Sequence, residues 1–140
     1  MGILDRLAGK RSNAEESEAR AYVEAMILMI AADGVVENDE LDDFQRNIYT
    51  RPQLNRVPPE EMTSMIKRSV HAIMTEGPDA RIRAIARMLP NQQQKMEAFR
   101  LCLSICASDG DVAPDELNLL KKMQAEFDLS ESQVEQLMNE

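Results

Sequence analysis

Ala31-Ala32-Asp33-Gly34-Val35-Val36-Glu37-Asn38-Asp39-Glu40-Leu41 returns 76 residues later as Ala107-Ser108-Asp109-Gly110-Asp111-Val112-Ala113-Pro114-Asp115-Glu116-Leu117, with seven of the eleven positions identical. Each copy follows an almost uncharged run and precedes a segment with apolar residues at helical spacing. What repeats is therefore a helix–corner–helix unit rather than a chance string. Two such units imply an approximate internal two-fold.

Upstream of the first copy, only Glu24 is polar between Tyr22 and Ala32. A helix can begin after Asn13, capped with Glu16 three residues on, and stop at Asp33-Gly34. Apolar on nearly all sides, it should be buried. Ala98 to Ala107 reads the same way before Asp109-Gly110. Helices near 14–32 and 94–108 are thus expected to be the most buried and to lie side by side. Between them, Leu41, Phe44 and Ile48 share one face of a helix starting near Asn38. Residues 51–58 form a loop, and a helix from Pro59 carries Met62, Met65, Ile66, Val70 and Ile73 until Gly77-Pro78. A shorter helix turns Ile82, Ile85 and Leu89 inward and Arg81, Arg83 and Arg87 outward. Past the second copy, one helix starts at Pro114 with Leu117, Leu120, Met123 and Phe127 inward. The last is capped by Ser130 and Gln133 and carries Val134, Leu137 and Met138. With 4% aromatic residues and no alternating runs, the class is all-α. The organisation expected is a short amphipathic segment, 1–12, and one helical domain, 13–140, of a length able to bury a core.

A net charge of −9 disfavours nucleic acid, whose phosphates call for a basic surface, and anionic membranes. Cations or basic protein partners are the natural counterparts. No apolar run reaches the roughly 18–20 residues of a spanning helix, so membrane association would be peripheral, through a partner. The opening residues lack a secretory apolar centre, and Arg6 stands where a myristoylation signal has Ser or Thr, which makes the cytoplasm the expected address. No nucleophile–base set, phosphate loop or metal-hydrolase motif occurs, so an enzyme is not expected.

Much of the corner needs no ligand. Gly34 and Gly110 can adopt positive φ to end a helix, and Val36 and Val112 can fold back on the core. Glu40 and Glu116 fall at the third helical position, where a carboxylate can bond backward to the cap residue's N–H. Asp33 and Asp109 can accept bonds from the loop's own amides. The alternative is a cation. An EF-hand loop fails, because the first and third ligand positions hold Met29 and Ala31 in one copy and Ile105 and Ala107 in the other.

At these residues the chain resembles the TerB family, the helical domain named for tellurite resistance and also found on a DnaJ-like co-chaperone. The resemblance rests on Ala31, Asp33, Gly34 and Glu40 and again on Ala107, Asp109, Gly110 and Glu116, and spans roughly residues 14–139. It implies a compact bundle of about seven helices with neighbouring acidic corners, suspected of binding metal in stress-response assemblies. On that basis Asp33, Glu40, Asp109 and Glu116 are expected to converge on one weakly held Ca²⁺, Mg²⁺ or Mn²⁺ ion, within a tellurite- or stress-linked assembly with an unidentified protein partner. Four ionised groups demand a counterion, since two like charges about 4 Å apart repel by about 4 kcal/mol at an effective dielectric of 20. The other reading is a structural adaptor or co-chaperone-type interaction domain whose acids only cap helices. One departure from a good cap is plain: Glu37 and Ala113 occupy the cap positions where Ser or Thr would serve better. Cys102 and Cys106 align with Met26 and Ile30 and read as core, His71 has no partner at ligand spacing, and the ten methionines fall mostly on apolar stripes. The arginines from Arg81 to Arg87 read as a solvated face.

Overall fold

The computed structural model describes residues 13–107 and 111–140. Seven α-helices follow one another among them: α1 (Asn13–Ile30), α2 (Asn38–Asn47), α3 (Pro59–Glu76), α4 (Pro78–Met88), α5 (Gln92–Ala107), α6 (Pro114–Glu126) and α7 (Glu131–Met138), with a 3₁₀ turn at Ile48–Thr50. The described residues contain no strand. Helix α1 is the axis of the bundle. Residues 21–29 are buried without interruption, because α5 runs along one side, α3 and α4 along others, and α6 touches its end. Small Ala21 and Ala25, both fully buried, let neighbouring backbones approach. The side-by-side pairing of the two apolar helices is as expected, with Ala98, Phe99, Leu101, Cys102 and Cys106 of α5 completing the core. No helix among the described residues is long and apolar enough to cross a membrane.

The one acid in the α1 run is explained by its partner. Glu24, 3% exposed, accepts from Arg81 Nε at 2.5 Å and Nη2 at 2.8 Å, and Arg81 Nη1 reaches Glu76. This corrects the expectation that Arg81 points outward. At 100° per residue the buried face of α4 is centred among Ile82, Ile85 and Leu89. Arg81 lies roughly 70° from that centre, on the α1 side, whereas Arg83 and Arg87 lie beyond about 120° and are exposed. The fork geometry of a guanidinium matches a carboxylate, and this pair lets a charge sit inside the α1 run. Hydrogen bonding to Glu24 raises the Arg81 pKa, keeping the cation fixed.

Three further side chains expected inward are exposed: Leu117 at 45%, Val112 at 47% and Met138 at 67%. In α6 the buried face runs through Leu119, Leu120, Met123 and Phe127. Leu117 lies about 100° from its centre, while Glu116, one turn before Leu120, lies almost upon it. Val112 precedes α6 rather than packing under it. Met138 is the last residue of α7, about 100° around the helix from buried Leu137.

Helix ends are built from local chemistry. Ser130 Oγ accepts from the Gln133 N–H while Gln133 Oε1 accepts from the Ser130 N–H, the reciprocal cap read from the sequence. At the end of α6 the Leu129 N–H bonds the Gln124 carbonyl and the Asp128 N–H bonds that of Ala125, a Schellman closure with Asp128 at φ 54°. An aspartate here carries both a left-handed strain and a negative charge at the negative end of the helix dipole. Asp128→Gly is therefore expected to raise stability by about 0.5–1 kcal/mol, the backbone entropy of glycine offsetting part of the gain. Urea unfolding measures this, and a destabilised variant would show that the aspartate side chain holds the turn.

Candidate functional site

Both acidic corners open onto one groove of about 660 Å³. Its floor comes from the end of α1 (Met29, Ile30), from Phe44 and Ile48, and from Ser104 and Ile105 of α5. Its walls carry the carboxylates Asp33, Glu40, Asp43, Asp115 and Glu116, against a single base, Arg51. Helical spacing explains the placement. Glu40 stands one turn before Phe44 and Glu116 one turn before Leu120, so each glutamate continues the apolar stripe of its own helix past the point where packing stops.

The three described members of the expected set differ in what they already do. Asp33 Oδ1 accepts the Val35 N–H at 3.0 Å, closing the corner in the manner of an Asx turn. Glu116 Oε1 accepts the Ala113 N–H at 3.0 Å. That is half of a capping box, since Ala113 has no side-chain oxygen to return the bond. Glu37 likewise makes no side-chain cap bond for α2. The Glu40 side chain has neither hydrogen bond nor ion pair among the described residues, although it stands at the corresponding position of its helix. Gly34 sits at φ 84°, as the corner requires. Asp109 and Gly110, with the positive φ expected for the latter, lie outside the described residues.

Asp33, Glu40 and Glu116 thus line one cavity, supplied by two corners 76 residues apart in sequence. Among the described residues, no group of three or more His, Cys, Asp or Glu side chains is close enough to hold a metal ion. Asp43, Asp115 and Arg51 were not singled out as site residues. Asp43 could have been found, because it and Asn47 stand three and seven residues after Glu40 on one side of α2. Arg51 belongs to the groove only through the way the chain turns after Ile48.

Elsewhere the reactive groups are quiet. Cys102 and Cys106 are buried and take part in no disulfide, and burial pushes the Cys102 thiol well above its ordinary range, so it stays protonated and inert. His71 is exposed on α3. Tyr22 is buried and donates to Glu18 at 2.6 Å, its proton held on first by burial and then by that bond.

An all-helical bundle with paired acidic corners delimits a class of protein, and comparison with known families makes it definite. Residues 18–139 match the family described as Tellurite resistance protein TerB, and the chain belongs to that family. No curated protein and no solved structure matches the chain.

Proposed function

We propose that this TerB-like chain is a non-enzymatic binding module whose two corners act jointly on cationic ligands, a hard divalent ion first among them, within a tellurite- or stress-response assembly. The observation that carries the reading is the shared groove: Asp33, Glu40 and Glu116 converge on it from both repeats, with Asp43 and Asp115 beside them. Carboxylate oxygens favour Ca²⁺, Mg²⁺ or Mn²⁺ over softer ions. Because the described carboxylates do not close into a ligand shell, part of the coordination falls to water, and the affinity belongs in roughly the 10⁻⁴ to 10⁻³ M range of weak calcium modules.

The adaptor reading has its own support, since Asp33 and Glu116 already bond backbone amides. Calorimetric titration separates the two. Wild type is expected to bind Ca²⁺, Mg²⁺ or Mn²⁺, and the Asp33→Asn, Asp109→Asn double variant to lose that heat. At a free ion concentration ten times Kd, binding adds about 1.4 kcal/mol to stability, visible as a rise in melting temperature. No heat, no rise, and a double variant that folds equally well would leave the carboxylates as caps.

A further inference from the structure

The floor of the acidic groove is apolar, formed by Met29, Ile30, Phe44, Ile48 and Ile105. Its rims are apolar too. Of the five large hydrophobic residues exposed among the described residues, Val35, Val112 and Leu117 all belong to the two corners that frame it. A bare ion would use the carboxylates and none of this surface. The lining, five acids and one base, has a net charge of −4. Glu40 and Asp43 come from α2 and Asp115 and Glu116 from α6, two helices that do not pack along each other, so acids stand on both sides of the apolar floor.

The shape of the opening selects among ligands that carry both apolar and basic groups. From Glu40 to Ile48 the groove follows α2 for about 12 Å, and its volume of about 660 Å³ over that length leaves a trough about 7 Å across. A helix, about 10 Å wide, lays one face into such a trough and meets the rims with its shoulders, and its span from i to i+7 covers about 10 Å. An extended peptide would press its amides onto side chains that offer them no hydrogen bond, whereas a helix bonds its backbone internally. A polyamine would match the charges and leave Val35, Val112 and Leu117 bare. Away from the corners, the exposed large hydrophobics of the described residues are Met74 and Met138, one on each of two helices. No described helix of a second copy therefore supplies a stripe of apolar anchors.

We infer that the groove seats a helix of a different protein, apolar along one stripe at i, i+3, i+4 and i+7 and basic on both flanks of that stripe. The stripe covers the floor, the flanking Lys or Arg side chains meet the acids of α2 and α6, and the body of the helix covers Val35, Val112 and Leu117. The net charge of −9 on the whole chain steers such a partner toward it. The inference rests on the reading of the groove as a site for cationic groups and names the partner that supplies them.

Fluorescence anisotropy of the full chain with a labelled leucine–lysine peptide of about four helical turns tests it, the leucines on one stripe and the lysines on both flanks. The control peptide has the same composition, ordered so that no stripe forms at helical spacing. Wild type is expected to bind the striped peptide at least about tenfold more tightly than the control. Glu40→Gln with Asp43→Asn, and separately Val35→Ser with Leu117→Ser, all at exposed positions, should each weaken binding about tenfold. Glu126→Gln with Glu135→Gln removes the same charge outside the groove and should change it by less than about twofold. Equal affinity for the two peptides, or as large a loss in this last variant, would overturn the inference. The chain's own first residues and a second copy are the other occupants. Ile3→Ser, Leu4→Ser and Leu7→Ser together should leave peptide affinity unchanged. A tenfold gain there would mean that the chain covers its own groove, and wild-type dimers that the peptide dissociates, seen in sedimentation velocity, would mean that a second copy does; either result overturns the inference. Ca²⁺ titration of wild type keeps the ion apart from the helix. Calcium heat without peptide binding sinks only the helix, and stripe-dependent peptide binding without calcium heat sinks only the ion.

Discussion

Replacing Arg81 by Met is expected to cost about 3–5 kcal/mol. The loss follows from what stays behind. Glu24 is 3% exposed in the middle of α1, between fully buried Val23 and Ala25, and without the guanidinium its charge has neither water nor a counterion. Glu76 offers no substitute, because it is an acid itself and bonds the same arginine from the end of α3. Glu24→Gln should be milder, since an amide oxygen still accepts from Arg81 and the cation keeps Glu76. The double variant Glu24→Leu, Arg81→Met removes both charges, and much of the stability is expected to return, because an apolar pair of similar size avoids the desolvation that the ion pair has to repay. Urea unfolding of the two single variants and the double closes a thermodynamic cycle, and their coupling should be of the order of 1–3 kcal/mol. If Arg81→Met were within about 0.5 kcal/mol of wild type, water would have to reach Glu24 and α1 would be less enclosed than the structure shows. If the double variant fell as far as Arg81→Met, the pair would be holding the register between α1 and α4 rather than only neutralising a charge.

The same pair marks where sequence reasoning stops. The burial of α1 and α5 was legible because no amphipathic stripe exists in either run, and the corners were legible because the repeat is nearly verbatim and its glycine has one conformational use. Glu24 was visible as the only polar residue between Tyr22 and Ala32, and a buried acid requires a partner. Which of several arginines supplies it depends on how α4 is rotated against α1, a contact between residues 57 apart that no local pattern encodes. The groove divides likewise. Asp33, Glu40 and Glu116 were legible from the repeat, and Asp43 from its spacing to Glu40, whereas Asp115 lines the groove only through the placement of α6 and Arg51 through the 3₁₀ turn that follows α2. Leu117 misled for a simpler reason: its spacing to Leu120 suits a helical stripe, but Leu119 pulls the buried face to the other side.

Gly77 is the second position where a single substitution is expected to be costly, and there the mechanism is the backbone alone. At φ 86° and ψ 161° it occupies a region that essentially only glycine enters, and a β-carbon built on it meets nothing within 4 Å. Space is therefore not the obstacle to alanine; torsion is. The residue also serves two helices at once. Its N–H bonds the Ile73 carbonyl to end α3, and its own carbonyl accepts the Arg81 N–H to begin α4. Pro78, next in line, holds the preceding residue out of helical ψ and so excludes the simplest escape, in which α3 would run on. Gly77→Ala is accordingly expected to cost about 1–3 kcal/mol. Gly34→Ala, at φ 84° in an exposed corner with open space around it, should cost about 1 kcal/mol. The order has a physical origin beyond strain. Relaxing residue 77 tilts α4 and carries Arg81 away from Glu24, while relaxing residue 34 moves only a corner loop. Gly77→Ala should therefore lose part of the Glu24–Arg81 coupling, and unfolding Gly77→Ala together with Arg81→Met should give less than the sum of the two separate losses. Full additivity, or a Gly77→Ala cost no larger than that of Gly34→Ala, would mean that the junction between α3 and α4 does not set the position of the arginine.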